Sequence, residues 1–198
     1  MSNLSKEQTE EHIKETAKNI FFVQGRFNAT TQQIAEEAGV NRTLINYYFR
    51  SRNKLIEIIF EEAVSLERNK SQSLLNKGLS FKENIAHFIE ANLESNLKYP
   101  YLQTFIVSQL NKKEFTFKKR AHDQKIADYF YKIYEAEIKA GNIENIEANQ
   151  FLFNLISLLS FPNAVRPLLR TNMGISEKEY DRLISERKEI ILNLLFKK

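Results

Sequence analysis

Near the amino terminus, apolar residues recur at helical spacing in short runs, each opened by a polar residue that can cap a helix. Ser5 and Gln8 form a capping-box pair, and Ile13, Ala17, Ile20 and Phe21 then share one helical face that ends near Gly25. Thr30 and Gln33 repeat the capping pattern ahead of Ile34 and Ala35. Asn41 can cap a third helix and Ser51 a fourth, which runs from about Arg52 into the polar stretch Glu67 to Ser73. The pattern predicts three short helices followed by a longer one.

Downstream the stripes lengthen. One follows Ser80 through Phe81, Ile85, Phe88, Ile89 and Leu93 and stops before Pro100, and another carries Phe105, Ile106 and Leu110. A longer one holds Ile126, Tyr129, Phe130, Ile133 and Ile138 and ends at Gly141-Asn142. Glu147 to Phe161 follows, with breaks expected at Pro162 and Pro167. The last runs from Glu177 to the end of the chain, with Tyr180, Leu183, Ile184, Ile190, Ile191, Leu194 and Leu195. The expected fold class is therefore all-α: a three-helix helix-turn-helix domain followed by a larger helical region, with no strand pattern and no internal repeat.

Composition narrows the functions. In 198 residues there are only 5 Gly and 3 Pro, but 15 Phe and 8 Tyr, enough to build a core. The absence of Cys removes disulfide, thiolate-metal and cysteine-nucleophile chemistry together. No Glu-x-x-His pair, phosphate-cradling glycine loop or nucleophile elbow occurs, so an enzyme is not expected, nor a cofactor or a metal site. His12, His87 and His122 read as surface or core histidines. The polar amino terminus and the short, Asn- and Ser-interrupted apolar run Phe151 to Phe161 lead us to expect a cytoplasmic protein with no membrane partner. The net charge of +4 is compatible with nucleic acid without arguing for it.

Thr31 to Arg50 carries the chemistry. Ala35 is small enough for a close helix crossing, Gly39 can take the left-handed turn, and Val40 and Ile45 fill the angle between two helices. That spacing is what a helix-turn-helix needs to place its second helix in a major groove. From this helix Thr43, Asn46 and Tyr47 project toward bases: Asn matches adenine edges, Thr a thymine methyl, and Arg42 a guanine or a phosphate. Tyr48 and Phe49 read as core. Arg52 and Lys54 stand in a first helical turn, where the helix dipole disfavours cations unless a phosphate docks there. Thr30, Thr31 and Gln32 are further phosphate candidates. Between Gln24 and Ile56 five basic residues face two acidic ones, a net +3 that neutralises few phosphates per subunit.

These residues carry a resemblance. Lys6 to Leu66 is similar to the DNA-binding domain of the TetR family of bacterial transcriptional regulators, at Ala17, Phe21, Gly25, Thr30, Thr31, Ile34, Ala35, Ala38, Gly39, Val40, Ile45, Tyr47, Phe49, Ser51 and Leu55. The resemblance implies a DNA-binding domain at 6–66, with its helix-turn-helix at about 31–50, and a regulatory, ligand-binding and dimerisation domain at 67–198. Family members place Lys where this chain has Arg52, and there it meets the DNA backbone. Many also carry Tyr where this chain has Asn46, so an operator sequence cannot be borrowed.

The family likeness further implies a homodimeric repressor on a double-stranded operator, released by a small-molecule effector whose binding favours a conformation with badly spaced recognition helices. For the dimer interface the apolar stripes offer Phe151, Leu155, Leu158 and Leu159 with Ile184, Ile191, Leu194 and Leu195; the alternative is that both stripes bury inside the monomer. For the ligand pocket, Phe60, Phe88, Tyr101, Phe105, Gln109, Phe130, Tyr134 and Asn154 combine aromatic walls with sparse polar groups, against the alternative of an ordinary core. A helical adaptor, or a regulator controlled by a protein partner rather than an inducer, is the other expectation.

Overall fold

The computed structural model describes residues 5–112 and 121–196, and every regular element among them is helical. The helices are α1 (Lys6–Lys18), α2 (Thr31–Glu37), α3 (Arg42–Phe49), α4 (Arg52–Ser71), α5 (Phe81–Lys98), α6 (Leu102–Leu110), α7 (Ala121–Lys139), α8 (Ala148–Ala164), α9 (Arg166–Met173), α10 (Glu177–Ser185) and α11 (Arg187–Leu195). They divide into two compact units: Met1–Ser65 with Tyr99–Phe117, and Leu66–Lys98 with Lys118–Lys198. The division falls inside α4, and α6 groups with the helix-turn-helix although chain order places it in the second region.

In the first unit, local chemistry sets each helix start. Ser5 Oγ accepts from the Gln8 amide while Gln8 Oε1 accepts from the Ser5 amide, at 3.2 and 2.8 Å. Thr30 and Gln33 form the same reciprocal pair. Past Lys18 the first helix widens into a π turn, Asn19–Val23, which brings the consecutive residues Ile20, Phe21 and Phe22 to the interior. Three neighbours in a row exceed what a regular helical stripe can bury, and the extra residue reaches α6. Phe105 lies 5.3 Å from both the Phe21 and Phe22 rings, and the Tyr101 amide donates to Phe22 O. Gly25, at φ 68°, ends the turn directly beneath the Tyr101 ring, where a Cβ would stand 3.0 Å from the ring carbons.

The second unit is built around an aromatic centre. Phe81 of α5 lies 5.7 to 6.0 Å from Phe130 and Tyr134 of α7 and Phe151 of α8. Ile85, Ile89, Ile184 and Ile191 extend this core along α5, α10 and α11. Two sequence expectations change here. Pro162 does not break α8, which continues to Ala164. Proline cannot donate to the Leu158 carbonyl one turn back, and Arg187 Nη2 supplies that hydrogen bond instead, at 3.0 Å. The carboxyl-terminal stripe is two helices, α10 and α11, rather than one. Between α9 and α10 the Arg166 guanidinium is buried, holds Asp181 at 2.6 Å and Glu177 at 3.1 Å, and lies 4.9 Å over the Tyr180 ring.

Candidate nucleic-acid interface

The hinge of the helix-turn-helix is a closed Schellman turn. Gly39 takes φ 62°, its amide donates to Glu36 O, and the Val40 amide donates to Ala35 O. His12 of α1 adds a clamp from outside the motif: its Nε2 donates to Ala38 O at 3.0 Å. Nothing in the motif's own spacing points to this residue. Asn41 Oδ1 then starts α3 by accepting from both the amide and the hydroxyl of Thr43, at 2.9 and 2.8 Å. Ile45 and Phe49 are buried, which fixes the rotation of α3 about its axis. Arg42, Thr43, Asn46 and Tyr47 are left on the exposed side, with Tyr47 65% accessible although it is aromatic. Tyr48 is half-buried and meets the Tyr47 ring edge-on at 5.0 Å.

The cationic candidates differ from one another. Arg52 is turned inward: its Nε donates to Ala29 O at 2.7 Å and its Nη2 to Phe27 O at 2.8 Å. It ties the start of α4 to the loop before α2, and burial lowers its pKa from the ordinary guanidinium value. Lys54 pairs with Glu57 at 2.7 Å on an exposed surface. Arg26 is paired with Glu37 at 2.7 Å, in a group that Gln24 joins. At the start of α2, the Thr30 hydroxyl serves its cap and Gln32 holds Glu36, while Thr31 is half-buried. Two arginines of this stretch, Arg42 and Arg50, are exposed and make no ion pair with another described residue.

Residues 13–59 match the family model described as bacterial regulatory proteins, tetR family. Over these residues the chain is similar to that family. Its described residues also share the fold of solved members. The ketosteroid transcriptional regulator KstR2 of Mycobacterium tuberculosis aligns with a TM-score of 0.66 at 13% identity, covering 100% of this chain and 98% of that one. A TetR family transcription regulator from Marinobacter aquaeolei VT8 aligns at 0.61 and 14% identity, covering 94% and 95%. A HlyIIR mutant protein aligns at 0.58 and 23% identity, covering 98% of each chain. No curated protein matches the chain. The tetR-type fold thus comprises an amino-terminal helix-turn-helix unit and a helical unit beyond it.

The residues expected in a ligand pocket are divided between the two units. Phe60, Tyr101, Phe105 and Gln109 belong to the first unit, where Phe60, Phe105 and Gln109 are buried and Tyr101 covers Gly25. Phe88, Phe130, Tyr134 and Asn154 belong to the second, where Phe130 and Tyr134 are core, Phe88 is half-buried and Asn154 is exposed. An open groove of about 390 Å³ lies beside the α7–α8 loop, lined by Tyr131, Tyr134, Ile138, Ile146 and Asn149 among others.

Of the residues expected at the dimer interface, Phe151, Leu155, Leu159, Ile184 and Ile191 are buried in the chain's own core, Leu158 and Leu195 are half-buried, and Leu194 is exposed. Helix α8 is apolar on two sides. Its outer side shows Phe153, Ile156 and Phe161 at 62, 49 and 60% exposure, and α11 shows Ile190 and Leu194 at 51 and 49%. From sequence both sides of α8 read as one apolar run, and only packing separates them. No single helix among the described residues is long and apolar enough to cross a membrane; α8 and α9 pass such a test only as a pair bent by 71°.

Proposed function

We propose that this protein is a sequence-specific DNA-binding transcriptional regulator, a homodimeric repressor of the cytoplasm released by a small-molecule ligand. One observation carries the reading. Thr43, Asn46 and Tyr47 stand exposed on a helix whose start, hinge and rotation are all fixed by capping, Schellman and core contacts. Exposed side chains on a rigid helix are what a major groove requires, and the tetR-family match covers this segment.

A single recognition helix reads too few base pairs to be selective, so two copies must act together. Phe153, Ile156, Phe161, Ile190 and Leu194 are our candidates for the shared face, because soluble monomers rarely leave so much apolar surface to water. Thr30, Thr31, Gln32, Arg42, Arg52 and Lys54 remain candidates for the DNA backbone, with Arg52 limited to the guanidinium nitrogen that its loop contacts leave over. A ligand would act by binding one conformation of the dimer more tightly than the other.

The test is selection of duplexes from a random-sequence pool by the full-length protein. Enrichment of a short near-palindrome with half-sites about one helical turn apart supports the reading. A pool that stays random after repeated rounds overturns it.

A further inference from the structure

The recognition helix ends in an unusual way. Arg50 is the one residue other than glycine with positive φ among the described residues, at φ 62° and ψ −38°. The Ser51 amide donates to Phe49 O at 2.7 Å across it, closing a three-residue turn of the rarer hand. This conformation strains any side chain bearing a Cβ, and glycine is the residue that relieves it. Arginine stands there nonetheless. Its amide still donates to Asn46 O, so Arg50 continues the helical register by one step. Thr43, Asn46 and Tyr47 fall at i, i+3 and i+4 on one face, and Arg50 stands just past the end of that helix.

Three nearby cations are committed elsewhere, while Arg42 at the start of α3 is exposed as Arg50 is. Arg52 holds Ala29 O and Phe27 O, Lys54 holds Glu57, and Arg26 holds Glu37. Arg50 is exposed and makes no ion pair with another described residue.

Resting on the DNA-binding reading, we propose that Arg50 is a phosphate clamp of the recognition helix, held in a strained turn so that its guanidinium grips the DNA backbone beside the bases read by Asn46 and Tyr47. Arg52, which stands where the family's backbone contact is expected, acts here as a loop clip. Arg50 thus fixes how deeply and in what register α3 sits in the groove, while carrying no sequence information itself.

Arg50→Gly, Arg50→Ala, Arg50→Lys and Arg52→Ala test this in the full chain. Each is titrated with a labelled duplex selected by the wild-type protein and with a mixed-sequence duplex, across a salt series. Arg50→Gly is expected to melt about 2–4 °C higher than wild type as the strain is relieved, yet to bind both duplexes on the order of tenfold more weakly. The slope of log affinity against log salt should shrink by about two for a dimer, one phosphate per subunit. Arg50→Ala should lose the same slope without the gain in melting temperature, and Arg50→Lys should keep the slope. Arg52→Ala should melt lower, because it loses the bonds that tie the start of α4 to Ala29 O and Phe27 O. An Arg50→Gly protein with wild-type slope on both duplexes overturns the proposal while leaving DNA binding intact. Wild-type protein that binds neither duplex overturns the DNA-binding reading and this proposal together.

Discussion

The two units of this chain are held together by different kinds of information. In the helix-turn-helix unit, starts and stops are decided within a few residues: Ser5 with Gln8, Thr30 with Gln33, Asn41 with Thr43, and Gly39 with its two closing hydrogen bonds. The second unit has local caps too, at Ser80 and Ser176, but adds decisive partners that are distant in sequence. Arg187 serves the carbonyl that Pro162 leaves unpaired, and Asn96 donates to Leu159 O from another helix. Locally determined structure suits a module that must present the same few side chains to every groove it meets. Structure set by remote contacts suits one whose packing has to specify faces.

The sharpest way to break that contrast is at α8, where one apolar side is buried and the other is exposed. Phe151→Ala should cost about 3–5 kcal/mol of folding stability in urea unfolding, because it empties an aromatic core. Phe153→Asp should leave helicity intact and convert dimer to monomer by light scattering, since that ring is already in water within one chain. Equal stability losses for the two would erase the distinction between inner and outer faces.

Next in size is the Pro162 junction. Arg187→Ala should cost about 1–3 kcal/mol by leaving a helix carbonyl unsatisfied. Pro162→Ala restores an amide donor to Leu158, so the double variant should be less damaged than the sum of the single ones. Strict additivity in this cycle would mean that Arg187 does not stand in for the missing amide.

In the first unit, Thr30→Ala should cost about 1 kcal/mol through its capping box. A local device should do its damage locally, with hydrogen exchange accelerated at α2 and unchanged in α7 and α8. The smallest effect concerns Glu83, whose carboxyl accepts from the Ser80 hydroxyl and amide and is held below its ordinary pKa by them. A depressed folded-state pKa contributes stability above the unfolded value and loses it as pH falls through the folded one. A carbon-detected titration of Glu83 in wild type and Ser80→Ala should show the pKa moving back up in the variant.

The same contrast explains what could be read from the chain. Caps, hinge and first-helix stripe were legible because residue types three or four positions apart decide them. His12 on Ala38 O and Arg52 on the loop carbonyls were not, because each bond spans more than twenty residues. The π turn escaped for a related reason: a regular stripe predicts Ile20 and Phe21 inside, and only α6 explains why Phe22 joins them. Which side of α8 the chain buries in its own core is not legible either, because an apolar run carries no sign of which partner covers which face. Half of the expected pocket residues are core aromatics, since a large aromatic residue at helical spacing reads alike in a wall and in a core.

The central claim is that the exposed side of α3 reads bases. Its most direct measurement compares wild type, Thr43→Ala and Asn46→Ala for affinity to the selected duplex and to a scrambled duplex at one salt concentration. The account predicts that each variant loses about 1–3 kcal/mol on the selected sequence, binds scrambled DNA as wild type does, and so narrows the ratio between the two. Unchanged ratios in both variants would contradict it, because then whatever sequence preference the protein has would not come from this helix.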